Sequence, residues 1–148
     1  MNIEFKVNAL NFDRLIEENF SLHYDFLLGD IQIRHGLEIL NINFNIPLLD
    51  FANGISIIMN ELNSRKEARY EFDFTEGEGL LIFTKNGNDL SIFLDYDESF
   101  LNVNFIIFLY AVYDFNKKLI DFIEKNVEVN RFRELGDLLD NLIIGDKL

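Results

Sequence analysis

Before Pro47, apolar residues alternate with polar ones except over residues 8–19, where the pattern fits either a loop or one to two helical turns. A period of two is typical of strands with one buried face. The alternation predicts strands over residues 3–7, 20–28, 31–33 and 37–44. Gly29–Asp30 and His35–Gly36 offer tight reversals between them. A slip in the alternation near Leu40 is consistent with a bulge in the last of these strands.

The period then changes, and a helix is predicted over residues 47–64. Proline suits the first turn of a helix, because it lacks an N–H that this turn would leave unpaired. The apolar residues that follow are spaced by three or four and form one stripe: Leu48, Ala52, Ile55, Met59 and Leu62. Gly54 lies inside the helix, where glycine costs about 1 kcal/mol relative to alanine. We expect it to allow close packing of the helix against the sheet.

A second group of strands is predicted after this helix, over residues 70–74, 80–84 and 90–96. Asn86–Asp89 between the last two is a strong hairpin signal, because an Asn-Gly pair tolerates the positive φ of a type I′ turn. These strands therefore predict an antiparallel meander with one buried face. The segment LNVNF, residues 101–105, either adds a strand or leads directly into the next helix.

Two more helices are predicted, over residues 104–126 and 130–142. The longer one begins with FIIFLYAVY (Phe105–Tyr113), which is apolar nearly all round and predicts a buried central helix. This run is too short for a membrane span, which takes about twenty apolar residues.

Strands, helix, strands, helix, helix is the element order of an α+β fold. We expect one mostly antiparallel sheet of about six to eight strands, with the helices packed on one face. The 148 residues are enough for a single domain, residues 1–148, with its own core.

The acidic charge excludes whole classes of partner. Asp and Glu number 26 against 13 Lys and Arg, so the formal net charge is −13. Nucleic acids and anionic membranes are expected to be repelled, because affinity for phosphate comes largely from lysine and arginine. The charge keeps a domain with 16 phenylalanines in solution, and it would also steer a basic partner towards the surface.

The absence of cysteine excludes disulfides, thiolate catalysis and cysteine-ligated metal centres. The N-terminal segment MNIEFKVNALNFD has neither the basic region nor the long apolar run of a signal peptide. A cytoplasmic location is therefore expected.

Motifs that carry catalysis or hold a metal are missing from the sequence. His23 and His35 form no HxxxH or HExxH pair, no serine stands in a G-x-S-x-G elbow, and there is no phosphate-binding loop. The acidic run from Asp95 fails as a calcium loop, since Phe100 and Ile106 occupy the positions that need glycine and glutamate. No catalytic residue, metal site or cofactor is predicted.

Acidic and aromatic residues instead predict an interaction surface on the second group of strands. Glu71 and Asp73 share one face of their strand. Asp95 and Asp97 share one face of theirs, together with Phe93 as an apolar anchor. An aromatic anchor within a charged rim is typical of tight interfaces. The predicted partner-binding residues are Glu71, Asp73, Phe93, Asp95, Asp97 and Glu98.

The segments YDFLLGDIQI, IPLLDFANGI and YEFDFTEGEGLLIF, at residues 24–33, 46–55 and 70–83, resemble small bacterial proteins of the immunity type, which are encoded beside secreted polymorphic toxins. The likeness is one of pattern and covers most of the chain: strands, helix, acidic hairpins, long helix. It implies a cytoplasmic, non-enzymatic protein that binds and blocks one cognate toxin. The acidic surface suits a basic toxin domain such as a nuclease.

Two other functions stay open from the sequence. A small carboxylate-based enzyme would need carboxyls such as Glu71, Asp73 and Asp95 gathered in a cleft, one of them with a raised pKa. A structural, self-associating domain would form a homodimer through an exposed strand edge or through the last helix, and it would show a large apolar patch.

Overall fold

The computed structural model describes residues 1–14, 19–74 and 79–145. These residues form seven strands: β1 (Asn2–Leu10), β2 (Leu27–His35), β3 (Glu38–Pro47), β4 (Glu67–Asp73), β5 (Leu80–Asn86), β6 (Asp89–Leu94) and β7 (Ser99–Asn104). The α-helices are α1 (Leu48–Asn63), α2 (Phe105–Asn126) and α3 (Arg133–Asp140), and short 3₁₀ turns lie at Phe12–Arg14 and Val129–Arg131. The first two helices agree with the predicted ranges to within one residue. The third is shorter at both ends than the predicted 130–142.

The fold is α+β, but the strands form two antiparallel sheets and not the single sheet that the sequence predicts. One sheet has the order β1-β2-β3 and the other the order β4-β5-β6-β7. The meander is confirmed, and β7 extends it to four strands. Gly87 has φ +63° in the predicted Asn-Gly turn, and Gly36 has φ +60° in the turn between β2 and β3.

The two sheets meet edge to edge at β3 and β7. The backbone N–H of Asn102 donates to the Glu38 carboxylate at 2.9 Å, and the Phe44 ring packs on Tyr96 with centroids 4.5 Å apart. Among the described residues no backbone hydrogen bond joins these two strands. The β3 register slips between Ile42 and Ile46, later than the predicted position, and such an irregularity bends a strand away from a straight ladder.

The helix layer joins the two sheets. α1 packs against β2 and β3 of one sheet and against β4 of the other, and α2 packs against β1 and β7. Alternate residues of the strands point into one continuous hydrophobic cluster beneath these helices. The inner face of each sheet is therefore the face that α1 and α2 cover, and the opposite face is called the outer face below.

The predicted long strand over residues 20–28 is wrong in its first part, because residues 21–25 form a turn. The N–H of Asp25 donates to the carbonyl of Ser21 at 2.8 Å, and the Asp25 carboxylate accepts from the N–H of Ser21 at 3.0 Å. Such local side-chain bonds compete with extended pairing. The alternation still marks burial at Leu22 and Phe26, but Tyr24 is exposed.

The predicted reversal at Gly29–Asp30 is also wrong, because Gly29 lies within β2, opposite Val7 of β1. A Cβ at Gly29 would overlap the carbonyl oxygen of Lys6. Glycine is therefore needed here for the close approach of β1, not for a turn.

The sequence predicts that the first half of α2 is buried all round, and this prediction is wrong. Its inner stripe is buried, but Ile106, Ile107 and Tyr110 on the opposite side are exposed by 44%, 45% and 58%. The buried stripe includes Asn116, whose side-chain amide donates to the Ser56 hydroxyl at 3.0 Å.

The close packing expected at Gly54 is confirmed. A Cβ at this position would lie 2.5 Å from the Phe72 ring of β4. That ring is held between Phe51 and Phe74, each with its centroid 5.3 Å away, so it has little freedom to move aside.

Replacing Gly54 by alanine should therefore destabilise the fold. The gain in helix propensity is about 1 kcal/mol, and overpacking in a well-packed core costs typically 1–3 kcal/mol. We expect a lower urea midpoint for Gly54→Ala and a slightly higher one for Asn60→Ala, an exposed position of the same helix. A Gly54→Ala variant at least as stable as the wild type would contradict the packing argument.

Lys85 of β5 is 8% exposed and ends at the C-terminus of α1. Its ammonium donates to the carbonyls of Leu62 at 2.9 Å and of Arg65 at 2.5 Å, and it lies 4.6 Å from the centroid of the Phe105 ring. Within the described residues no carboxylate pairs with it. Two carbonyls at and just beyond the end of α1, the negative end of the helix dipole and an aromatic face stabilise the charge instead.

Lys85→Met should lower the free energy of unfolding by about 1–3 kcal/mol, because two charge-assisted hydrogen bonds are lost while the aliphatic volume is kept. Lys118→Met is the control, since Lys118 forms an exposed i,i+4 pair with Asp114 that is worth about 0.3–0.5 kcal/mol. Urea denaturation at pH 7 measures both. Equal losses in the two variants would show that Lys85 does not cap α1.

Candidate functional site

The strand register places four side chains in a row across the outer face of the four-stranded sheet, and all but the one on β4 are apolar. Glu71 pairs with Ile82, Ile82 with Phe93, and Phe93 with Phe100, one residue from each strand. Directly opposed residues in a sheet have their Cβ atoms about 4.5–5.5 Å apart, so these side chains are neighbours. Phe100 is 55% exposed, and Ile82, Phe93 and the nearby Leu80 are partly exposed. These four residues, Leu80, Ile82, Phe93 and Phe100, are called the apolar patch.

Carboxylates lie on two sides of the apolar patch. Glu71 and Asp73 stand on β4, and Asp73 pairs with Leu80. Asp95 lies on the other side of Leu80, since its N–H donates to the Leu80 carbonyl at 3.1 Å. Asp73 and Asp95 are therefore about two strand spacings apart, roughly 10 Å, with an apolar side chain between them.

The predicted strand over residues 90–96 ends at Leu94, so Asp95 and Asp97 lie in the turn between β6 and β7 and not on one face of a strand. Both carboxylates accept hydrogen bonds that hold this turn in place. The Asp95 carboxylate accepts from the Leu80 N–H at 2.7 Å. The Asp97 carboxylate accepts from both the N–H and the hydroxyl of Ser99. Glu98 has φ +58°, in the left-handed region, and its side chain is exposed. Asp95 and Asp97 thus fix the turn that presents Glu98.

On β4, Glu71 is bonded to Arg69 at 2.6 Å, both side chains being exposed. The carboxylates of Asp73 and Glu98 are exposed and form no hydrogen bond or ion pair with any other described residue. The six predicted residues therefore divide by role. Asp73 and Glu98 are free to meet a partner, Glu71 is shared with Arg69, and Phe93 belongs to the apolar patch.

The outer face of the three-stranded sheet shows what a solvated face of this protein looks like. Its polar side chains bond to one another: Gln32 to Asn41 at 2.9 Å, Arg34 to Gln32 at 3.2 Å, and Asn8 to both Asp30 and Asn45 at 3.2 and 3.0 Å. No comparable network covers the apolar patch among the described residues. The two outer faces differ in chemistry although they lie in the same layer of the fold.

Sequence analysis missed three of the four residues of the apolar patch. Leu80 and Ile82 occupy alternate positions of a predicted strand, so the signal was present in the pattern. Phe100 was missed because β7 was not firmly predicted, and its place beside Phe93 follows from the β6–β7 register alone.

Metal ligands are not gathered in the described part of the chain. No three His, Asp or Glu side chains there are placed to share a metal ion. Among the described residues, the carboxyl whose pKa departs from its ordinary value is Asp50, in the first turn of α1. It lies apart from the apolar patch, so it does not supply the raised carboxyl that an enzyme on this sheet would need.

Burial raises the pKa of Asp50 above its ordinary value of 3.8, and the positive charge of His23 opposes this shift. A raised pKa in the folded state means that ionisation of the carboxyl disfavours folding. The contribution of the neutral carboxyl to stability is complete below the unfolded pKa, and it is lost as the pH rises through the folded pKa.

Asp50→Asn should therefore raise the thermal midpoint at pH 7 and leave it nearly unchanged at pH 3, where the wild-type carboxyl is already neutral. Asp121→Asn, at an exposed position of α2, should shift the midpoint little at either pH. A midpoint that falls at pH 7 on Asp50→Asn would show that the ionised carboxylate stabilises the fold.

Comparisons of the chain with protein-family models, with curated proteins and with solved structures found no match. In the described ranges, none of the helices combines the length and the apolar character that crossing a membrane requires.

Proposed function

We propose that this chain is a non-enzymatic binding protein of the immunity type, which takes a basic protein partner on the outer face of its four-stranded sheet. The observation that carries the proposal is the apolar patch. A row of apolar side chains crosses three adjacent strands and ends at a Phe100 that is 55% exposed. Exposed apolar patches with a polar rim mark interaction sites in proteins that otherwise keep such side chains covered.

The apolar patch contributes binding free energy because its side chains lose contact with water when a partner covers them. Removing apolar surface from water contributes about 25 cal/mol per Å², and a large side chain that becomes fully buried contributes about 1.5–3 kcal/mol. Phe100 has the most surface left to lose, so it is expected to dominate. The outer face of the other sheet offers no such gain, since its amides and carboxylates already bond to one another.

The carboxylates orient an approaching basic partner and raise its association rate. A chain with net charge −13 attracts a basic partner over a distance of about one Debye length, roughly 8 Å at physiological salt. Asp73 and Glu98 are the exposed carboxylates of the site that other described side chains do not engage. Surface charges of this kind change the association rate more than the final affinity.

Neutralising a toxin by occlusion requires only a surface that binds, and this agrees with the chemistry of the site. The four residues of the apolar patch carry only hydrocarbon side chains, so binding is the chemistry that they can perform. The immunity function rests on the pattern resemblance and on the acidic surface, which suits a basic toxin domain in the cytoplasm.

Phe100→Ser should weaken binding of the cognate protein at least about tenfold, the effect of losing a central aromatic anchor. The matched control is Ile107→Ser, which removes an apolar side chain of similar exposure from α2. The partner is first isolated from the native host on the wild-type chain and identified. The affinities of wild type, variant and control are then measured, and so is growth when the partner and each chain are co-expressed.

We expect Ile107→Ser to protect growth as the wild type does and Phe100→Ser to fail. Asp73→Asn with Glu98→Gln should slow association at low salt and change dissociation little. A partner that binds Phe100→Ser as tightly as the wild type would remove the apolar patch from the interface. A partner that does not affect growth would rule out the immunity function.

A further inference from the structure

The free edge of the four-stranded sheet is β4, which pairs with β5 alone among the described residues. Two hydrogen bonds at its ends fix which backbone groups face β5. The N–H of Phe74 donates to the carbonyl of Gly79 at 3.2 Å, and the N–H of Gly87 donates to the carbonyl of Lys66 at 2.7 Å. In an antiparallel ladder, hydrogen-bonded and non-bonded positions alternate. The even-numbered residues of β4 therefore bond to β5.

The odd-numbered residues of β4 direct their N–H and C=O groups away from the sheet. These residues are Glu67, Arg69, Glu71 and Asp73, and all four are exposed. Each is one position from a residue that points to the inner face. Four donor–acceptor sets in a row along this edge thus have no partner among the described residues, and such an edge is a template for one more strand.

Side-chain chemistry along the edge specifies what that strand would carry. On the outer face it would lie beside three carboxylates and one guanidinium, those of the four residues named above. On the inner face it would lie beside Ala68, Tyr70 and Phe72, which are half-buried or buried. A segment that alternates basic with apolar residues matches both faces, because successive side chains of a strand point to opposite sides.

We propose that β4 accepts an extended segment of the partner as a fifth antiparallel strand, with basic side chains on the outer face and apolar ones on the inner face. The added strand would extend the row that runs from Phe100 to Glu71, so that one partner covers both the apolar patch and the edge. The inference rests on the proposed function for the identity of the partner. The edge itself is defined by the β4 backbone.

A second copy of this chain is a poor occupant of the same edge. Each β4 strand has an excess of carboxylates, so pairing two of them brings like charges together. In the antiparallel register that places Arg69 opposite Glu71 of the second copy, Glu67 lies opposite Asp73. A basic segment meets no such conflict.

Amide hydrogen exchange of the ¹⁵N-labelled full chain tests the proposal without the native partner. The probe is a blocked heptapeptide of sequence KVKVTVK, which places lysine opposite Asp73, Glu71 and Glu67 and threonine opposite Arg69. It is titrated at low salt until amide shifts stop changing. Amide exchange should then slow by about tenfold at Glu67, Arg69, Glu71 and Asp73. Tenfold is the largest slowing possible when about 90% of the chains carry the peptide, because the free tenth still exchanges. Exchange at Tyr70, which β5 already protects, should change little.

Two further measurements test whether the protection arises from strand pairing at β4. EVEVTVE, the acidic counterpart of the probe, should give no protection, and Arg69→Pro should abolish the effect because it removes one outward N–H without touching the ladder to β5. Phe100→Ser should bind the probe as the wild type does, so a failure of the apolar patch and a failure of the edge give different results. Absence of shifts, protection confined to other amides, equal binding of EVEVTVE, or dimerisation of the chain through β4 would each overturn the proposal.

Discussion

The fold depends on a helix layer that holds together two sheets with no backbone ladder between them. β3 and β7 lie side by side, and side chains link the two sheets there. Glu38 of β3 accepts from the Asn102 N–H of β7, and Phe44 of β3 packs on Tyr96 in the turn before β7. α1 and α2 each pack on strands of both sheets, so the burial of their apolar stripes keeps the sheets in place. Lys85 reinforces this arrangement at one point, because its ammonium on β5 meets the end of α1 and the first residue of α2. Since the helices cover only the inner face, both outer faces are left to solvent or to partners.

Sequence periodicity predicted what depends on local order and on burial. The stripe of α1, the Asn-Gly hairpin and the meander all follow from spacing, and the packing role of Gly54 follows from its place inside that stripe. Residues 21–25 could not be predicted in this way, because the bond from Ser21 to the Asp25 carboxylate overrides an alternation that still describes burial. The division into two sheets was equally hidden. It results from how β3 and β7 meet in space, and no period along the chain records that.

In the candidate site too, the spacing of residues along the chain predicts some features, while others depend on how the strands pair. Spacing along the chain was enough to place Glu71, Asp73 and Phe93 on one face of their strands. The neighbours of Phe93 depend on the β5–β6 and β6–β7 registers, and so Ile82 and Phe100 emerged only from the structure. The roles of Asp95 and Asp97 also changed, because Asp95 accepts a hydrogen bond from Leu80 of β5 and Asp97 accepts one from Ser99 in its own turn. In an acidic run, some carboxylates can thus form hydrogen bonds that hold the fold, while others remain exposed at the surface.

The carboxylates of β4 have two effects that reinforce one another. An exposed edge strand invites pairing with any other edge, and charged side chains are a common protection against it. In the proposed binding mode this protection is selective, because Glu67, Glu71 and Asp73 would repel a second copy of the same strand and attract a basic one. Arg69, paired with Glu71 at 2.6 Å, keeps the edge from being uniformly negative and so sets a register for whatever pairs with it. In the proposed binding mode, the carboxylates that oppose self-pairing of β4 are therefore the ones that would select the partner.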